Sequence, residues 1–108
     1  MFAFIQETTA GQFNNAKIDT VATDSSGITR VTLIGGTEVS PKAACSSSAD
    51  GRQFTYDLNS PSGSGWHSIV LSALAAQKEV HFVGKNTCLN IWSTMPFEET
   101  KTIYILNK

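Results

Sequence analysis

Residues 52–83 read RQFTYDLNSPSGSGWHSIVLSALAAQKEVHFV, and they contain a helix pattern between two strand patterns. From Phe54 to Leu58, apolar and polar residues alternate, which predicts a strand with one buried face. A loop rich in Ser, Gly and Pro follows, and residues 66–78 then carry apolar side chains at helical spacing. Residues 79–83 predict the next strand. The central part of the chain is therefore predicted to be strand, helix and strand.

A β-hairpin is predicted upstream of this stretch. Residues 17–23 alternate between apolar and polar positions, and residues 28–34 are rich in β-branched side chains, which favour strands. Between them, residues 24–27 read DSSG and supply turn chemistry. Residues 37–51 then predict a long connection, and residues 1–16 predict an N-terminal arm or an edge strand.

The order of these elements favours a particular fold class. Residues 101–106 predict a fifth strand, which follows a predicted loop at residues 93–99. Five short strands in 108 residues need a closed or nearly closed sheet, because open sheet edges invite aggregation. We therefore predict a mainly β single domain over residues 1–108, a five-stranded OB-fold-like Greek-key barrel with its helix between the third and fourth strands. The alternative is an open antiparallel sheet that the helix crosses.

The two cysteines, Cys45 and Cys88, bear on compartment and stability. They lie 43 positions apart and belong to no Cys-x-x-Cys pair. They are either two unrelated buried thiols or one disulfide. A charged fraction of only 16% and abundant Ser, Thr and Gly favour the disulfide, which is typical of secreted proteins. We expect a secreted or periplasmic protein whose leader peptide is absent from this chain.

Composition and motifs argue against several classes of function. The formal net charge is −1 and the basic residues are scattered, so we expect no nucleic-acid partner. No apolar run approaches the ~18 residues of a membrane span, so we expect no membrane insertion. The chain has no Gly-x-Ser-x-Gly elbow, phosphate loop or Cys/His cluster, and we expect no enzymatic activity, no cofactor and no metal.

The order from residue 52 to residue 106 resembles that of the B subunits of bacterial one-A-five-B toxins and that of related short secreted bacterial proteins. The resemblance rests on the strand before the Ser/Gly loop, the pair Trp66-His67, the helix, the strand at residues 79–83, Cys88, Trp92 and the last strand. It implies an OB-fold, a homopentameric ring with the helices around a central pore, and binding of cell-surface glycans as a lectin. A companion catalytic subunit would be a further partner. The first cysteine lies close to the N-terminus in those subunits, whereas Cys45 is far into this chain.

Candidate ligand-binding residues follow from the chemistry of sugars, which need an aromatic face and a few polar groups. The tryptophans Trp66 and Trp92 are the available platforms, and Asn90, His67 and Ser64 are their polar neighbours in sequence. In the resemblance, Trp92 and His67 occupy places comparable to those of sugar-contacting residues, although Trp92 comes four places after Cys88 where those subunits have their Trp two places after the second cysteine. The alternative is that both tryptophans fill the core or an interface and that His67 is a solvated loop residue.

The helix also has a second apolar side. Beyond the face that packs on the sheet, it carries Leu71 and Ala75, and we assign these two with Ile69 to an oligomer interface. The alternative is a helix enclosed by its own fold. Three functions remain open: a glycan-binding ring, a monomeric exported interaction domain, and a single-stranded nucleic-acid-binding OB domain.

Overall fold

A computed structural model describes residues 10–107 of the chain. It is mainly β with one helix, and its six strands form one sheet. The elements in chain order are β1 (Gln12–Thr23), β2 (Ile28–Ile34), β3 (Thr37–Ser40), β4 (Gln53–Asp57), α1 (Gly63–Ala76), β5 (Glu79–Ile91) and β6 (Met95–Ile105). No helix in the described range is both long and apolar enough to cross a bilayer.

The predicted hairpin of β1 and β2 is confirmed. The two strands are antiparallel, with Thr23 opposite Thr29 and Lys17 opposite Ile34. The turn between them depends on Asp24, whose Oδ1 accepts hydrogen bonds from the backbone N–H groups of Ser26 and Ile28, both at 3.0 Å. An aspartate that folds back on the next residues in this way stabilises a tight turn, which is why the local sequence was sufficient to predict it.

The sheet has six strands where the sequence predicts five. The additional strand is β3, which lies within the connection predicted for residues 37–51 and pairs antiparallel with the start of β1. It follows β2 after a bend at Gly35 and Gly36, where a Cβ on Gly36 would collide with the backbone of Asn14 and Ala16. Glycine therefore permits the close approach of β3 to β1.

The N-terminal part of the described chain lies inside the sheet, not at its edge. Residues 12–16 belong to β1, which pairs with β5 on one side and with β3 and then β2 on the other. The arm or edge strand predicted for residues 1–16 is therefore wrong for residues 12–16, and residues 1–9 lie outside the described range. β1 is long enough to pair with three strands, and the short apolar signals at its start did not reveal this.

The sheet order is β2-β4-β6-β5-β1-β3, and β1 additionally pairs with β2. All pairings are antiparallel except that of β4 with β6. Helix α1 connects β4 to β5, which become the fourth and fifth strands because β3 has been added.

The last two strands are longer than predicted. The expected loop at residues 93–99 belongs largely to β6, and β5 continues past Val83 to Ile91. The register shifts between Gly84 and Cys88, so the residues between them bulge out of the ladder. A bulge breaks the alternation of apolar and polar residues, and this hides the continuation of the strand from a periodicity argument.

Helix α1 packs its predicted face on the sheet. Val70 and Ala73 are fully buried, and Trp66, Ile69 and Leu74 pack against the same core at half-buried positions. The buried interior is mainly aromatic and aliphatic; its largest buried side chains are Tyr56, Phe13, Phe54, Phe82 and Phe97. The helix begins at Gly63, and Ser62 is at the N-cap position but forms no capping hydrogen bond through its side chain. Ser64 lies inside the first turn, because it follows Gly63 in the helix.

Cys45 and Cys88 form a disulfide, as the sequence favours. It joins the connection before β4 to the bulge of β5. Two residues from each cysteine, the N–H groups of Ala43 and Asn86 donate to the carboxylate of Glu98, at 2.8 Å and 3.1 Å. Gly11 N–H donates to the same carboxylate at 3.0 Å. We call this arrangement the Glu98 junction; it ties three segments to β6.

Candidate functional site

A cleft of about 360 Å³ lies between the end of β4 and the β5–β6 hairpin. One wall carries Tyr56, Asp57 and Trp66, and the other carries Lys85 and Glu99. The first wall comes from β4 and from the start of α1. The loop at residues 58–62, which contains two serines and a proline, connects these two elements. The cleft thus joins an aromatic surface to two carboxylates and an ammonium group. A volume of this size is in the range of small-ligand sites.

The aromatic wall is held in place from inside the fold. Trp66 is half-buried, and its ring lies 6.2 Å from the ring of Tyr56, centroid to centroid. The Tyr56 hydroxyl lies 2.7 Å from Nδ1 of His67. Burial raises the pKa of Tyr56 well above its ordinary value, so the hydroxyl stays protonated and shares a hydrogen bond with Nδ1 of His67. His67 therefore holds the hydroxyl of Tyr56, a residue of the cleft wall, and does not line the cleft itself.

The charged side chains that line the cleft can still form hydrogen bonds with a ligand. Glu99 accepts a hydrogen bond from Thr87 through Oε2, and Asp57 accepts one from Asn59 N–H through Oδ1 at 2.9 Å. Within residues 10–107, the second oxygen of each carboxylate has no protein donor. Lys85 is exposed at the same opening. Planar acceptors and an ammonium beside an aromatic face are suited to a polyhydroxyl ligand such as a sugar.

The predicted ligand-binding residues are divided between two places. Trp66 lines the cleft, with Ser64 and His67 on the same first turns of α1; Ser64 is exposed, and its carbonyl accepts a hydrogen bond from Ser68 Oγ. Asn90 lies at the far end of β5 and Trp92 lies just beyond that strand, and neither residue lines the cleft. That all five residues bind a ligand stays a prediction.

Trp92 belongs to a separate cluster at the turn between β5 and β6. Trp92 is 45% exposed, and its φ of 53° lies in the left-handed region. Its backbone N–H donates to Oδ2 of Asp24 at 3.1 Å. The Arg30 guanidinium carbon lies 5.1 Å from the centre of the Trp92 ring, in cation–π contact. The cluster therefore brings the β1–β2 turn and the β5–β6 turn together.

The assigned interface residues are also divided. Leu71 is 44% exposed and Ala75 is exposed, so this side of α1 faces out of the chain. Ile69 is half-buried and packs against the core. Ile69 therefore has less apolar surface available for an intermolecular contact than Leu71 and Ala75 have, because part of its side chain is buried inside the fold.

Sequence reasoning missed the charged residues of the cleft. Asp57, Lys85 and Glu99 lie far apart in the chain and match no short motif. Only the Ser/Pro/Gly loop after β4 was a local signal, since irregular loops on a rigid sheet often carry binding residues. Comparisons of the chain with protein-family models, with curated proteins and with solved structures found no match.

Proposed function

We propose that this chain is a non-catalytic glycan-binding subunit, secreted or periplasmic, that binds sugars in the cleft between β4 and the β5–β6 hairpin. The observation that carries the proposal is the cleft itself, which the half-buried Trp66 lines together with Glu99 and Lys85. A sugar ring would place its apolar face on the indole and its hydroxyl groups on the carboxylates and the ammonium. The disulfide is compatible with an exported protein.

The proposal includes a closed OB-fold-like barrel. The support is that β1 pairs with both β2 and β5, while β4 joins β2 to β6 and β6 joins β5. Five strands paired in this way form a circuit, with β3 as an extension of β2 and α1 between β4 and β5. A closed sheet has few free edges, which suits a small secreted domain.

The proposal also includes assembly as a ring of identical subunits. Its support is the outward side of α1, where Leu71 and Ala75 offer apolar surface that the fold does not cover. Sedimentation equilibrium of the whole chain gives the oligomeric mass directly. We expect an oligomer, and we expect Leu71→Lys to dissociate it, because a charge would have to be desolvated in the interface. A wild-type monomer would remove the ring from the proposal and leave sugar binding at the cleft to its own test.

Sugar binding is tested on a glycan array, followed by calorimetric titration of the best glycan. We expect Glu99→Gln and Lys85→Ala each to weaken binding about tenfold or more, as the loss of a charge-assisted hydrogen bond does. The matched controls are Asp19→Asn and Lys17→Ala, which alter exposed charges of β1 away from the cleft. No bound glycan, or equal effects of the cleft variants and the controls, would contradict the proposal.

A further inference from the structure

The two arginines of the chain lie over aromatic rings but differ in their hydrogen bonds. The Arg52 guanidinium carbon lies 4.6 Å from the centre of the Phe13 ring, and its Nη1 donates to the carbonyl of Gly35. Arg30 lies over Trp92 in a similar way, but its Nε is enclosed and has no hydrogen-bond partner in the described part of the chain. Its two Nη atoms likewise have no protein acceptor there, and unlike Nε they are not enclosed.

An enclosed donor without a partner is unfavourable, typically by about 1–3 kcal/mol, and such groups are rare in folded proteins. The nearby carboxylate does not satisfy Arg30. Asp24 accepts hydrogen bonds from Ser26 and Ile28 through Oδ1 and from the backbone N–H of Trp92 through Oδ2. Among residues 10–107, it forms no ion pair with Arg30. A cation therefore lies beside an exposed indole, and residues 10–107 supply no counter-ion for it.

The indole is held in place at some conformational cost. Trp92 and Ser93 have backbone φ values of 53° and 64°, which residues other than glycine rarely adopt. The hydrogen bond from Trp92 N–H to Asp24 anchors this backbone to the β1–β2 turn. Strained residues that the surrounding structure holds in place are concentrated at ligand-binding sites.

We propose that Arg30 and Trp92 form a second ligand site, for a carboxylate carried on a six-membered ring. The two Nη atoms of Arg30 take the carboxylate through paired hydrogen bonds, the geometry for which a guanidinium is suited. The exposed part of the Trp92 indole packs against the ring of the ligand. Neither residue lines the cleft, so this site does not depend on the function proposed above.

The experiment is an NMR titration of the whole, disulfide-bonded chain at constant ionic strength. The indole N–H signals of Trp66 and Trp92 report the cleft and the second site separately. The probes are D-glucuronate, cyclohexanecarboxylate and the neutral methyl β-D-glucoside. We expect the Trp92 signal to shift with at least one of the two acids and not with the neutral glycoside. A larger affinity for glucuronate identifies a sugar acid as the ligand class, and the reverse order identifies a non-sugar ring acid.

The variants separate the guanidinium from general charge effects. We expect Arg30→Gln to weaken binding of the acid about tenfold or more, and Arg30→Lys, which keeps the charge without the planar fork, to weaken it less. Arg52→Gln is the matched control and should leave the affinity unchanged. No shift of the Trp92 signal with either acid, equal binding of the neutral glycoside, or equal losses in the Arg30 and Arg52 variants would overturn the proposal. Should Arg30→Gln fail to fold, Arg30→Lys against Arg52→Lys decides the question.

Discussion

Glu98 and Glu99 are neighbours in β6, but they lie in two regions of opposite character. Glu98 is 1% exposed, and three backbone N–H groups from three different segments donate to its carboxylate. Glu99 is half-buried at the cleft and receives one hydrogen bond, from Thr87. Successive residues of a strand point to opposite faces, so one backbone serves both regions.

The difference indicates which carboxylate maintains the fold and which is available for a ligand. At the Glu98 junction every donor has an acceptor, and a Cβ on Gly84 would collide with the carboxylate, so the space is filled. At the cleft, Glu99 and Asp57 keep acceptor capacity that the described residues do not use. A buried charge whose hydrogen bonds are complete contributes to structure, whereas polar groups left incomplete beside an aromatic ring are suited to binding.

The largest expected effect concerns the covalent link beside the junction. We expect the double variant Cys45→Ser/Cys88→Ser to lower the free energy of unfolding by about 4 kcal/mol, because the unfolded chain regains the entropy of an open loop. Urea unfolding monitored by circular dichroism measures the difference, and reduced wild-type protein serves as the control. An unchanged midpoint after verified reduction would show that the junction does not need the disulfide.

The direct test of the comparison is the pair Glu98→Gln and Glu99→Gln. We expect Glu98→Gln to lower the free energy of unfolding by about 3 kcal/mol, since the amide NH₂ group faces backbone donors and the charge is lost. We expect Glu99→Gln to change it by about 0.5 kcal/mol or less, as a substitution outside the core does. Chemical denaturation of both variants under one condition is the measurement. Similar losses for the two would contradict the division of roles.

The smallest effect concerns pH and the turn that anchors Trp92. Desolvation raises the pKa of Asp24, but hydrogen bonds from Trp92, Ser26 and Ile28 together hold it below its ordinary value of 3.8. A lowered pKa in the folded state stabilises the fold above the unfolded value, and this contribution is lost as the pH falls through the folded pKa.

We therefore expect Asp24→Asn to have a slightly lower Tm than the wild type at pH 7, and the two Tm values to converge below about pH 3.8. Thermal melts of the two proteins between pH 7 and pH 2.5 measure the gap. A gap that stays constant across this range would mean that the ionised carboxylate of Asp24 does not stabilise the turn.

Local pattern was sufficient wherever neighbours in sequence determine the structure. The β1–β2 hairpin follows from the DSSG turn at residues 24–27, and the buried face of α1 follows from the spacing of Trp66, Val70 and Ala73. The helix and the mainly β character were predicted for the same reason, because propensity and periodicity are properties of short segments. The disulfide was favoured by composition, which needs no knowledge of the fold.

The features that local pattern does not predict join residues that are distant in the chain. The hydrogen bonds of Glu98 span up to 87 positions, the strand β3 exists through its pairing with β1, and the cleft joins residues of β4 to residues of β5 and β6. From the sequence alone, Glu98 cannot be distinguished from Glu99, nor Arg30 from Arg52, by burial or by hydrogen-bond partners. Burial and the availability of partners depend on how the strands cross, and that crossing results from contacts between segments which no single stretch of sequence contains.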